Sequence, residues 1–256
     1  MNKPVVSIVT IILFILWMLD QSVVPSWAAR HQTIKLGYLE HAGSVLCLIA
    51  ADKGYFRKEG VTVKLVGFTD ARSGLTALAA GTIDAGAFTV AETLNFIAAG
   101  TGIRIIAGGG AVFDNNPVSE LDENGMEESY RQGIVISIPK QGPPKAAITN
   151  LTAGLIHAYR AIRQYPRLGS RYAVRAAGVV VFNPNPDYYR LERIWKSLGL
   201  QATDMKPDFL SNHVYEEIYC DALDRLMDSA SDDPIFKELS SKAVCTPDCC
   251  PKTKKK

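Results

Sequence analysis

After residue 19 the sequence has no second long apolar run, which excludes a chain that crosses a membrane many times. It also lacks a body-wide excess of positive charge. The formal charge is +2, but Lys252, Lys254, Lys255 and Lys256 crowd into the last five residues, so the remainder is slightly acidic. That excludes a basic surface for nucleic acid. No G-x-S-x-G elbow, phosphate loop or H-E-x-x-H helix occurs, and Gly108-Gly109-Gly110 lacks the spacing of a dinucleotide fingerprint. The reading is therefore of a chain that is not an enzyme and needs no cofactor. No internal repeat is visible. What is present, 47% hydrophobic and 21% charged residues, is the composition of a globular domain rather than a disordered one.

The front of the chain has the parts of a secretory signal: Lys3, an apolar run from Val5 to Leu19, and a polar stretch ending Ser26-Trp27-Ala28. The run is short for a span of about 20 residues, so cleavage after about Ala28 and export to the periplasm are expected. An uncleaved anchor is the alternative, because Trp27 is bulky for a cleavage site. No cysteine sits there to carry a lipid. Residues 1–28 are thus read as signal, 29–243 as one α/β domain, and 244–256 as a tail rich in Cys and Lys.

Within the domain, short β-rich runs alternate with amphipathic helices. Ile34–Leu39, Val61–Phe68, Ile83–Phe88, Ile103–Ala107 and Gly133–Ile138 read as strands. Helices follow over Ser44–Lys53, Ser73–Ala80 and from Thr89 to Gly100, where Thr89-Val90-Ala91-Glu92 has capping-box spacing. A longer helix starts at Pro143-Pro144 and runs to Gln164, with Ile148, Leu151, Leu155, Ile156, Tyr159 and Ile162 inward. Asp187–Leu198 and Pro207 to about Asp228 are two more, while Gly178–Phe182 is either a strand or an extended lead-in. This alternation implies a mostly parallel sheet flanked by helices. Residues 111–132, rich in Asn, Asp, Glu and Gly, read as an exposed excursion.

Four local signatures stand in order: Gly37-Tyr38 in the first strand, Ala51-Asp52-Lys53-Gly54-Tyr55-Phe56 with Glu59-Gly60-Val61, the run from Ala77 to Gly86, and the strand before Gly108. Together they resemble the first lobe of the type II solute-binding proteins of ABC transporters. The branch is that of nitrate, sulfonate, taurine and thiamine-precursor binders. The resemblance implies capture of a small anionic or heteroaromatic solute and an ABC permease of the inner membrane as partner. Only 22 residues separate Gly110 from Gly133, whereas a second lobe needs several βα units of about 30 residues each. Most of that lobe is missing, so the alternative is a single-lobe module that docks a protein or forms a homodimer, with Tyr38 and Phe88 near an exposed face.

Ligands of open α/β sheets lie beyond the carboxyl ends of the strands. There the candidates are Tyr38, Glu40, His41 and Ser44 after the first strand, Asp70, Arg72 and Ser73 after the second, and Thr89 and Glu92 after the third. Tyr38 offers an aromatic wall and Arg72 a partner for an anion. Ser44, Ser73, Thr89 and Glu92 either face the ligand or only cap helices. Gly108–Gly110 either lets a ligand approach or forms a turn. Of the five cysteines, Cys47 belongs to an apolar stretch and reads as core, whereas Cys220, Cys245, Cys249 and Cys250 are disulfide candidates. The alternative is a soft-metal site in which His213, Glu217 and Cys220 share one helix face with the tail thiols.

Overall fold

The computed structural model describes residues 33–113, 128–172, 179–200 and 210–242. Residues 1–32, which include the expected signal, residues 114–127 of the excursion, residues 173–178, residues 201–209 and the tail with Cys245, Cys249 and Cys250 lie outside them.

The first strand, β1 (Thr33–Leu39), alternates exposed Thr33 and Lys35 with fully buried Ile34 and Leu36. It pairs in parallel with β2 (Thr62–Phe68) and β3 (Ala85–Thr89). Between them run α1 (Val45–Asp52), the single turn α2 (Tyr55–Lys58) and α3 (Ala71–Ala79). Gly54 at φ +69° makes the left-handed link from α1 to α2. After β3 come α4 (Val90–Ala98) and β4 (Ile103–Gly108). The sheet is completed by β6 (Ile134–Pro139), which inserts between β3 and β4 and runs against both, giving the order β2-β1-β3-β6-β4. Four of the five strands point the same way. The reversed strand is the one reached only after the excursion.

The ends of that excursion are structured. Gly110–Phe113 is a strand, β5, paired antiparallel with β7 (Val179–Phe182) in a separate two-stranded sheet. Phe113 is fully buried, edge-on to Tyr130 with ring centroids 5.3 Å apart. Residues 111–113 are therefore not exposed loop, and Gly178–Phe182 resolves as a strand from Val179 onward.

The helix α5 (Lys145–Gln164) buries all six of its expected inward residues and packs against α1, α2 and α8 (Glu216–Ser229). Gly154 is where α5 meets Phe56 of α2: a methyl there would lie 2.5 Å from the ring. The remaining elements are α6 (Pro166–Tyr172), α7 (Tyr188–Ser197) and α9 (Pro234–Lys242). The last long helix begins at Glu216 rather than Pro207, because Ser211–His213 forms a 3₁₀ turn and Val214 makes a parallel bridge to Ile105. Where α5, α2 and α8 meet, Glu59 accepts from His157 at 2.9 Å and from Arg225 at 2.6 Å, with His157 only 7% exposed.

Candidate functional site

The sequence candidates separate into three groups at the strand ends. Tyr38 lies half-buried beside Gly67 of β2, whose missing side chain leaves room for the Tyr38 hydroxyl and for Glu40 Oε1. Asp70, Arg72, Ser73 and Glu92 form a second group, and it is internally satisfied. Asp70 caps α3 by accepting from the Ser73 N–H at 2.8 Å, which holds its carboxyl below the usual range. Arg72 Nε donates to Glu92 Oε1 at 3.0 Å, and Asn95 donates to the other Glu92 oxygen. These bonds, that from Asn95 foremost, keep the Glu92 carboxyl depressed. The capping box does not form: Thr89 makes no side-chain cap, because Glu92 is drawn to a guanidinium twenty positions earlier.

His41 and Ser44 belong to the 3₁₀ turn that follows β1. The His41 Nδ1 accepts from the Gly43 N–H at 3.1 Å and caps the 3₁₀ turn Ala42–Ser44, and burial lowers its pKa. Ser44 is 1% exposed and caps nothing. A methyl on Gly43 would lie 2.3 Å from the Gly110 carbonyl oxygen, so this turn is pressed onto β5.

The central strand ends are filled by the chain itself. Gly108 donates to the Pro184 carbonyl at 2.9 Å, and a Cβ at Gly108 would sit 2.2 Å from the Asn183 oxygen. The triple glycine thus admits the protein's own backbone, not a ligand. Over residues 183–187 three side chains accept from a backbone N–H just downstream: Asn183 from Asn185, Asn185 from Asp187, and Asp187 from Arg190. Asp187, at φ 50°, redirects the chain into α7. Beneath that cap only about 50 Å³ remains, lined by Val90, Gly109, Ile134, Leu191 and Ile194 among others. Phe88, expected near an exposed face, is fully buried. Its ring occupies a socket made by Gly37, Gly74 and Gly86, edge-on to Phe68 at 5.6 Å.

A space large enough for a solute lies on the other side of β7. A cavity of about 610 Å³ is bounded by β7 and the 183–187 turn, by Tyr159, Ile162 and Arg163 of α5, by Tyr219 of α8 and by Leu239 and Lys242 of α9. That volume falls within the 300–1,000 Å³ typical of small-molecule sites. Tyr219 is 1% exposed and its hydroxyl has no hydrogen-bond partner, while desolvation drives its pKa upward. The Arg190 guanidinium lies 3.7 Å over the Tyr130 ring, with its Nε–H also buried and unpartnered. Glu216 accepts from the Tyr188 N–H at 3.2 Å, and burial, then Asp187, raises its carboxyl pKa. The sequence reading missed these residues. Tyr159 and the α8 stripe were legible as inward-facing, but nothing local distinguishes a tyrosine packed in a core from one bordering a cavity.

The cysteines divide. Cys47 is fully buried and free, its thiol pushed up to about 12 by burial. Cys220 is disulfide-bonded. Among the described residues no group of three His, Cys, Asp or Glu is placed to hold a metal. His213 sits in the 3₁₀ turn and not on α8, and Glu217 pairs with Lys145, so the shared helix face does not exist.

The sequence matches the model of the NMT1-like family over residues 28–183. No curated protein matches it. Among solved structures, it is similar to the Candida albicans CA3427 gene product, described as having the generic periplasmic binding protein fold. That similarity is at 12% identity and TM-score 0.52, over 72% of this chain and 96% of that one. It is also similar to the periplasmic nitrate-binding protein NrtA of Synechocystis PCC 6803, at 11% identity and TM-score 0.57, over 80% and 91% of the two chains. At such identities the likeness concerns fold. The strand order, the reversed strand reached after an excursion, and the family match together establish that this chain belongs to the NMT1-like family and carries the periplasmic-binding-protein fold.

Proposed function

We propose that this chain is an exported solute-binding component of an ABC importer, with its solute held in the cavity behind β7 and a permease of the inner membrane as its partner. The fold and family support the class, and residues 1–28 support export to the periplasm. One observation carries the location: the central strand ends are capped by residues 183–187, while a cavity of about 610 Å³ beside them holds a buried, unpartnered tyrosine hydroxyl. Arg72 and Glu92 already satisfy each other, which leaves the rim an unsuitable receiver for an anion.

Thermal-shift screening of the purified protein against sulfonates, nitrate, amino acids and pyrimidines tests this reading. A solute at a thousand times its Kd contributes about 4 kcal/mol of linkage, or roughly 8–16 °C in Tm for a domain of this size. The shift is expected in the wild type and in Arg72→Ala, and absent in Val180→Trp, where an indole fills the cavity. If no solute raises Tm at millimolar concentration, solute capture is wrong. A shift retained in Val180→Trp and lost in Arg72→Ala returns the site to the strand-end rim.

A further inference from the structure

The lining of the cavity selects among chemical classes. Its charged groups cancel. Arg163 and Lys242 both donate to Glu238, Arg190 faces Asp187 at 3.3 Å, and the Glu216 carboxylate, which accepts from the Tyr188 N–H, balances the remaining cation. An entering carboxylate or sulfonate finds every lining cation already paired with a carboxylate, and it would approach the Asp187 and Glu216 side against repulsion. Rings dominate the rest of the wall: Tyr130, Tyr159, Tyr188, Tyr189 and Tyr219 all border the space. Tyrosine faces favour stacked or edge-on flat rings over saturated ones of equal size.

The two polar groups left without partners are both able to donate: the Tyr219 O–H and the Arg190 Nε–H. A buried donor without an acceptor is costly, and a ligand that brings an acceptor removes that cost on binding. A carbonyl oxygen is an acceptor with two lone pairs and no net charge.

We infer that the cavity takes an uncharged, flat-ringed carbonyl compound whose oxygen accepts from Tyr219, an assignment that rests on the cavity being the solute site proposed above. Ring faces stack on the tyrosines, and the carbonyl supplies the missing acceptor. The same residues disfavour the anions that the sequence resemblance implies.

Three probes of nearly equal size separate the contributions by calorimetry on the full-length protein: naphthalene-2-carboxamide, naphthalene-2-carboxylate and decahydronaphthalene-2-carboxamide. The neutral aromatic amide is expected to bind at least tenfold tighter than either the anion or the saturated amide. Tyr219→Phe keeps the ring, removes the donor and is expected to weaken the amide about tenfold, the worth of one hydrogen bond in a desolvated site. The same variant should melt no lower than the wild type, because the hydroxyl it loses has no partner. If Tyr219→Phe lowers Tm by several degrees, the hydroxyl is structural and the inference fails. Tighter binding of the carboxylate, or equal binding of the saturated amide, also overturns it. The proposed function is distinguished by Val180→Trp: another solute that binds the wild type but not this variant upholds capture in the cavity while rejecting the carbonyl class, and no cavity-dependent binding by any solute rejects both.

Discussion

Gly74→Ala sets two physical rules against each other. Gly74 is in the middle of α3, where replacing glycine by alanine ordinarily stabilises by about 0.5–1 kcal/mol through backbone entropy. Here the added methyl would fall 2.1 Å from Cε1 and 2.2 Å from Cζ of Phe88, more than an ångström inside normal contact. The ring has little room to retreat, because its opposite edge already lies so close to Gly86 that only the lack of a side chain there admits it, and its tip lies against Gly37. Overpacking of this kind costs about 1–3 kcal/mol, so the net effect is a loss of about 1–2 kcal/mol, or roughly 2–8 °C in Tm. Phe88→Leu, although destabilising alone, vacates the socket. In that background Gly74→Ala should be neutral or stabilising, giving a coupling of about 2 kcal/mol in the double-mutant cycle. Urea unfolding of the four proteins provides the comparison. A stabilising Gly74→Ala in the wild-type background, or an equal effect in both backgrounds, would refute the socket.

Other perturbations read other parts of the molecule. The Glu59 carboxyl is held below its usual value first by the hydrogen bond from His157 and then by the charges of His157 and Arg225. Its folded-state pKa is thus depressed, and the stability it contributes is present above about pH 4.3 and lost as the pH falls through the folded value. Glu59→Gln should be less stable at neutral pH and should flatten the acid limb of a Tm-against-pH curve; an unchanged limb means that other carboxylates govern it. Gly108→Ala drives a methyl into the Asn183 and Asn185 carbonyls, so its expected cost is about 3 kcal/mol or more, seen as loss of soluble protein or a large drop in urea midpoint. Cys47 should resist thiol reagents at pH 8 in the native protein and react only on unfolding. With Cys220 bonded, unfolding without reductant should expose one or three free thiols; five would contradict the bond.

Much of the sheet was readable because its signals are local. Ile34 and Leu36 alternate with Thr33 and Lys35, and Gly54, Gly81, Gly100 and Gly199 all take the positive φ that ends a helix. The reversal of β6 was not derivable from periodicity, since an apolar run reads alike in either direction and its Ser137 pairs with Gly86, 51 positions earlier. The site failed for a related reason. Thr89 and Glu92 have the spacing of a cap, yet a tertiary partner, Arg72, outcompetes the local one. Gly108–Gly110 signals close approach without saying of what, and the answer, the backbone of residues 183–185, is more than seventy residues away. Two short helices, α6 and α9, follow single prolines at Pro166 and Pro234 and carry too few apolar repeats to stand out.

The place of β6 also dictates when the domain can close. Strand β4 has no neighbour in the five-stranded sheet except β6, so a chain made only as far as Phe113 holds β2, β1 and β3 together and leaves β4 unpaired. Sheet completion waits for residues 134–139 and for α5 behind them, pairings that close loops of roughly thirty residues to β4 and roughly fifty to β3 and are slow for that reason. Over that interval Ile103, Ile105 and Ile106 lack the partner strand that covers them in the finished domain. An unfinished edge of this kind exposes a newly made chain to aggregation until β6 arrives.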